Sequence, residues 1–491
     1  MKKYIKNIEK VKYFFCAILL TLTFSCDDDL DPKNFGQPVV EDFYKTPEQA
    51  EQALVSAYSS MRELYGSNFW GTMGTDIIFG EIGTDDFIKG GRTATNNAPL
   101  LEKERYAFTT SNPIFEELWS VNYEGILFAN LVLANVPNIE FDDDDDRQQE
   151  ILAEASFLRA LYYFDLVNSF GGVPLVERPL EISEFNQPRA SKEDVYQLIE
   201  RDLQFAIDNL PSRFNKDSDY LGRADKGAAL GLMMRVLLYQ NKNDQIRSFG
   251  DQLFALNYSL TSDYSTIFQP EGEWNSGSIF EINFVTDANV LGTGIPRRVN
   301  PNNNTGGGFV QAKEDLRNEY EANDPRLDAT LFFSDRPYGT DWYVRKYAWE
   351  PFTNYPKPDI GGNSNSSNNV RLIRLSDVYL MYAEAVYDSD PATAIDYVNR
   401  VRRRARGTQP ATVLPDLDPT LVGQPLLDAI YHERRVELAG EGFRFHDLVR
   451  TGRASTLLAP LGFIEGTHEV VPLPVQQVTL SKGVLIQNPN Y

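Results

Sequence analysis

Apolar residues recur at three- and four-residue spacing along most of this 491-residue chain, and that period commits it to amphipathic helices. In 147–168, Ile151, Ala155, Leu158, Tyr162 and Leu166 mark one helical face. Ala228, Leu232, Val236 and Tyr239 repeat the pattern in 223–240, and Leu375, Val378, Tyr382 and Ala385 in 371–387. One helix carries its own punctuation: Asp390 as N-cap, Pro391 in the first turn, Ala394, Val398, Val401 and Ala405 inside, Gly407 as the stop. The same reading predicts helices over 47–64, 113–135, 192–210, 243–256 and 425–439. Short links suggest stacked helix–turn–helix pairs, although no clean period of about 34 residues is present. The expected fold class is mainly α: a tetratricopeptide-like helical repeat scaffold with long irregular loops and a few short strands.

Two stretches break the period. From about 266 to 370 loop chemistry takes over, with PNNNTGGG (301–308), GGNSNSSNN (361–369) and a strand-like run from Ser278 to Val285. Gly, Asp and Asn cluster again in 66–112. Irregular stretches of this length inside a domain tend to carry function. Four of the five tryptophans, Trp70, Trp274, Trp342 and Trp349, fall in these zones, and Trp119 lies on a predicted helix.

The first residues predict an export leader. Lys2, Lys3, Lys6, Lys10 and Lys12 precede an almost unbroken apolar run, Phe14 to Leu22, and Ser25-Cys26 closes it. The run is shorter than the roughly 20 residues a spanning helix needs. A small residue before a cysteine is what a lipoprotein signal peptidase requires, although Thr23 stands where leucine is usual. Of the two cysteines, Cys16 lies in the leader, so the mature chain keeps Cys26 alone and forms no internal disulfide. Cys26 is therefore the expected lipidation site, and residues 27–29, all Asp, begin an acidic tether. The formal charge is −23 and becomes more negative once the lysine-rich leader is removed. Such a chain repels nucleic acid.

Catalytic and metal motifs are sparse. His432, His446 and His468 lack partners at metal-ligand spacing, and neither a P-loop nor a G-x-S-x-G elbow occurs. Asp142 to Asp146, read as a calcium loop, would put Arg147 where glycine is needed and Ala153 where the bidentate glutamate belongs. An acidic run at a helix N-terminus explains it better. Glu81, Asp85 and Asp86 leave open a glycosidase carboxylate pair, whose geometry the sequence does not set. Neither metal nor cofactor is expected.

Several ordered segments resemble the SusD/RagB family: VRLIRLSDVYLMYAEA (370–385), AIDYVNRVRRRARG (394–407), HERRVELAGEGFRFHDLVRTGR (432–453) and VPLPVQQVTLSKGVLIQNPNY (471–491). Upstream, 118–137, 153–176 and 222–239 look like further family segments; His446 and Thr451 depart from the more usual aromatic residues. Arg159, Arg374, Glu384, Arg400, Arg434, Glu437, Arg444 and Asp447 lie on otherwise apolar helices, where they are expected to pair internally and hold the helices in register.

The resemblance implies a non-catalytic, lipid-anchored protein on the outer membrane, exposed at the cell surface. It would capture oligosaccharides and deliver them to a SusC-like TonB-dependent transporter. Peptide capture on the same scaffold is the alternative, and a surface glycoside hydrolase a weaker one. It implies a signal peptide (1–25), an anchored acidic tether (26–45), an N-terminal SusD-like helical region (46–265), a ligand-face insertion (266–370) and a C-terminal signature region (371–491). Sugar recognition needs rings that cover pyranose faces and planar polar groups that fix orientation. Asn68, Trp70 and Asp76 in one zone, and Tyr338, Trp342, Tyr343, Arg345 and Trp349 in the other, have those residue types and are the candidate ligand contacts.

Overall fold

The helical period is realised as a stack in which each long helix packs on the next in the chain. The computed structural model describes residues 43–66, 79–93, 95–142, 146–216, 220–286, 291–301, 307–336, 339–348 and 365–491. Residues 46–491 form one compact unit. Its long helices are α1 (Pro47–Gly66), α2 (Pro113–Asn135), α3 (Arg147–Phe170), α4 (Lys192–Asn209), α5 (Lys226–Tyr239), α6 (Asn243–Phe254), α7 (Leu375–Val386), α8 (Pro391–Arg406) and α9 (Gly423–Leu438). Successive helices contact one another from α1 to α8, and α9 returns onto α7. The protein is mainly α, with a tetratricopeptide-like helical scaffold and a few short strands.

Local chemistry sets the helix ends. Asn112 caps α2 by accepting from the Ile114 amide at 3.1 Å, with Pro113 at the first position. Ser191 and Asp194 form a capping box on α4, and the Asp225 carboxylate accepts from the Ala228 amide at 2.8 Å to start α5. Asp390 and Gly407 bound α8 as the sequence indicates. The middle helices α3 and α5 are buried on almost every side, as befits members with neighbours on both flanks. A Cβ at Gly125 would overlap the Tyr162 ring, so glycine there lets α2 approach α3.

One element differs from the periodicity. The predicted helix 371–387 is helical from Leu375 to Val386, as α7, but its first residues belong to a strand, β6 (Val370–Arg374), that runs directly into it. All five strand residues are buried, Arg371 and Arg374 among them, and so short a run buried on both faces carries no clear period of its own. The partner decides: β2 (Ser278–Ile282) pairs antiparallel with β6. The remaining strands, β1 (Phe87–Lys89), β3 (Val310–Ala312), β4 (Leu331–Arg336) and β5 (Gly339–Val344), form an antiparallel sheet in the order β1-β3-β5-β4. Because β1 belongs to the first irregular stretch and the others to the second, this sheet joins the two.

Candidate functional site

The β4–β5 hairpin sorts its aromatic residues by the two-residue period of a strand. Phe332 lies opposite Tyr343, and Phe333 opposite Trp342. The first pair is packed inward, with Tyr343 only 3% exposed. Burial raises its phenol to about 12. The second pair is on the outer face: Phe333 is 53% exposed, and its ring meets half-buried Trp342 edge-on at 5.4 Å. The Arg317 guanidinium lies 5.1 Å from the Trp342 ring and is held by Glu314 at 2.8 Å. Together these groups make an aromatic ledge with a planar cation beside it, able to cover an apolar sugar face and bond its hydroxyls.

The candidate residues therefore divide. Trp342 stands on the outer face, whereas Tyr343 is packed on the inner face and Arg345 lies 5.8 Å from the ring of Phe332. Asn68, Trp70, Asp76, Tyr338, Trp349 and the lipidation cysteine Cys26 lie outside the described residues. Sequence reasoning missed Phe333 and Arg317. The signal for Phe333 was present: FF at 332–333 and WY at 342–343 flank a short turn containing Gly339, as in a hairpin. Trp274 is tied into its own loop, donating from Nε1 to Asn283 Oδ1 at 2.9 Å, with Arg213 5.6 Å from its ring. Trp119 is buried in the scaffold against Tyr123 and Phe170.

A buried ionic network anchors the hairpin. Glu437 on α9 accepts from Arg374 at 2.7 Å, from Arg326 at 3.2 Å, and from Arg404. Burial alone would raise its pKa; the three guanidiniums instead hold the carboxyl well below the usual range. Arg374 also reaches Glu441 at 2.6 Å, and Glu441 accepts from Lys346, just beyond β5, at 2.6 Å. Most of the scaffold charges pair across elements: Arg159 with Asp202, Arg434 with Asp377 and Asp447, Arg450 with Glu384, and Arg444 with Asp85. Arg400 corrects the expectation of internal pairing. It is exposed and pairs with Asp396 one turn back on its own helix, and it meets the neighbouring helix through the Tyr379 ring, 5.7 Å away, rather than through a buried ion pair.

The carboxylates that suggested a glycosidase pair belong to the same framework. Asp85 receives Arg444 at 2.6 and 2.8 Å, Asp86 receives Arg435 at 2.6 Å, and Glu81 accepts from the Gly442 amide at 2.7 Å. Burial, and then the nearby Asp86, raise the Glu81 carboxyl well above its ordinary value. His432 pairs with Glu319 at 2.9 Å, and His468 accepts from the Ile464 amide at 2.9 Å. Residues 143–145 of the acidic run lie outside the described residues.

Comparison with known proteins gives consistent matches over the length of the chain. Residues 264–491 match a family model described as SusD family, and residues 51–238 match one described as starch-binding associating with outer membrane. The SusD-like protein P25 of Formosa agariphila is 28% identical, over 98% of this chain and 98% of that protein. A solved laminarin-binding SusD-like protein superposes with a TM-score of 0.79 at 32% identity, covering 91% of this chain and 100% of that one. Surface glycan-binding protein A from Bacteroides thetaiotaomicron, solved in complex with laminarihexaose, gives 0.77 at 26% identity, with 91% and 100% coverage. No helix among the described residues is long and apolar enough to cross a membrane.

Proposed function

Because the chain belongs to the SusD family, we propose that it captures an oligosaccharide at the cell surface, without cleaving it, and delivers it to a TonB-dependent outer-membrane transporter. The observation that carries the reading is the outward Trp342–Phe333 pair with Arg317 beside it. An outward-facing cross-strand aromatic pair offers a flat apolar face to a pyranose ring. The laminarin-binding relatives support a laminarin-type oligosaccharide as the ligand. In this reading Tyr343 and Arg345 stiffen the hairpin from its inner side, while Asn68, Trp70, Asp76, Tyr338 and Trp349 complete the site from the neighbouring stretches. Residues 266–370 are the ligand-face insertion between helical regions 46–265 and 371–491. Residues 1–25 are the leader and Cys26 the lipid anchor, with an acidic tether to residue 45.

Isothermal calorimetry of residues 27–491 against laminarihexaose tests this, with chromatography of the recovered sugar. We expect saturable binding, intact hexaose, and at least roughly tenfold weaker binding by Trp342→Ala, since tenfold corresponds to about 1.4 kcal/mol. Shorter products would replace capture with hydrolysis. Binding to peptides alone would move the ligand class and keep the scaffold.

A further inference from the structure

A hollow of about 10 Å³, room for one water-sized group, lies where β2, β6 and the first turn of α7 meet α8. Arg371 and Arg374 line it from β6, Ser278 from β2, Ser376 from α7 and Arg404 from α8. All five side chains belong to residues no more than 8% exposed.

The hollow is rich in hydrogen-bond donors that nothing accepts. Arg371 Nε, Arg404 Nε and Ser278 Oγ have no hydrogen-bond partner among the described residues. Ser376 Oγ accepts from Arg374 at 2.7 Å and from Arg404 at 3.1 Å, which leaves its own proton to give. Buried donors left unmet are costly. A water molecule has too few lone pairs for all four, whereas a monatomic anion accepts from every side.

The electrostatics point the same way. Three guanidiniums line the hollow and no carboxylate does. The acids that balance them are outside the lining and already engaged. Glu281, 3.7 Å from Arg371 Nε, accepts from the Trp274 amide and from Asn369. Glu437 is divided among Arg326, Arg374 and Arg404, and Glu441 between Arg374 and Lys346. Asp377, the acid of the first turn of α7, is held by Arg235 and Arg434. The backbone adds to the positive field: α7 starts without a side-chain cap, and Arg374 and Ser376 bring that helix end to the hollow.

We propose that this hollow binds a single halide ion, chloride under physiological conditions, which joins β2, β6, α7 and α8 beneath the sugar-binding hairpin. Its size shuts out sulfate and phosphate. Crystals of the mature chain grown in sodium bromide, measured at the bromine absorption edge, test the site. Thermal melts in sodium chloride and in sodium gluconate at equal ionic strength test its effect. We expect an anomalous peak among Arg371, Arg404, Ser278 and Ser376. The midpoint should rise by roughly 1–2 °C per tenfold increase in chloride above its dissociation constant, and not with gluconate. Ser278→Val, whose methyl groups take up the hollow, should abolish both. A water in the hollow with no anomalous signal, or a chloride response that survives Ser278→Val, would overturn the proposal. So would a bromide peak without any chloride dependence, which would mean an adventitious ion only. The peak and the salt series on the unaltered chain decide the matter even if Ser278→Val does not fold.

Discussion

The Lys346 ammonium lies 2.6 Å from a Glu441 carboxylate oxygen and 2.9 Å from the Glu437 carbonyl, fully buried, four residues beyond Trp342. The strand that carries the candidate sugar platform is thus tied to the ionic centre of the scaffold. Burial lowers the ammonium to about 8, with Glu441 opposing the shift. Lys346→Met leaves Glu441 to Arg374 alone, and breaking a buried pair of this kind costs about 3–5 kcal/mol. We expect a lower urea midpoint and, although Lys346 lies beneath the platform, weaker laminarihexaose binding. Full affinity at a lowered midpoint would show that the hairpin keeps its position without this tie.

The two faces of the hairpin separate by substitution. Phe333→Ala is expected to weaken sugar binding less than Trp342→Ala, because Trp342 presents the larger ring and the Arg317 contact. In a double-mutant cycle on stability the two should couple by about 0.2–1 kcal/mol, the range for cross-strand pairs. Tyr343→Phe, on the inner face, should leave affinity unchanged in calorimetry. A large loss there would place the ligand on the opposite side of the strand.

Two arginines from the same sequence motifs should behave differently. Arg434 is buried between Asp377 at 2.9 Å and Asp447 at 3.2 Å, so Arg434→Ala leaves two buried carboxylates short of a partner. We expect a loss of about 3–5 kcal/mol in chemical denaturation. Arg400, paired with Asp396 at the surface, should cost no more than about 0.5 kcal/mol when replaced by Ala. Equal losses would contradict the division into core and surface pairs.

His446 confers a pH dependence of known sign. Burial, and then the neighbouring Lys103, lower its imidazole from 6.5 to about 4. Between those values the unfolded chain holds a proton that the folded chain does not. Stability therefore falls as pH drops from 6.5 towards 4, by on the order of 3 kcal/mol from this group, with no further gain above 6.5. Thermal melts of His446→Phe across that range should show a shallower slope than the unaltered chain; identical slopes would assign the acid sensitivity elsewhere.

Helix positions were legible because helix formation is written in contiguous residues. The apolar period and the Asn112-Pro113 and Asp390-Pro391 starts placed α2 and α8 within a residue of where they stand. The run 370–374 was not legible, since five residues mixing apolar and arginine side chains suit the start of a helix as well as a buried strand, and only β2 resolves the choice. In the candidate site the residue types around Trp342 stood out. Which neighbours share its face depended on the hairpin register, and that register substitutes Phe333 and Arg317 for Tyr343 as its companions.

The sequence by itself determined the helical scaffold, its caps, the two irregular stretches and the expectation that the scaffold charges would pair. Only the tertiary structure decided the partners: Arg444 takes Asp85 from 359 positions away, and β1 meets β3 across more than two hundred residues. Periodicity and capping are local interactions that each segment satisfies alone. Ionic and strand partners are chosen among many chemically equivalent side chains, and the choice is made by which ones the packed helices bring within a few ångströms.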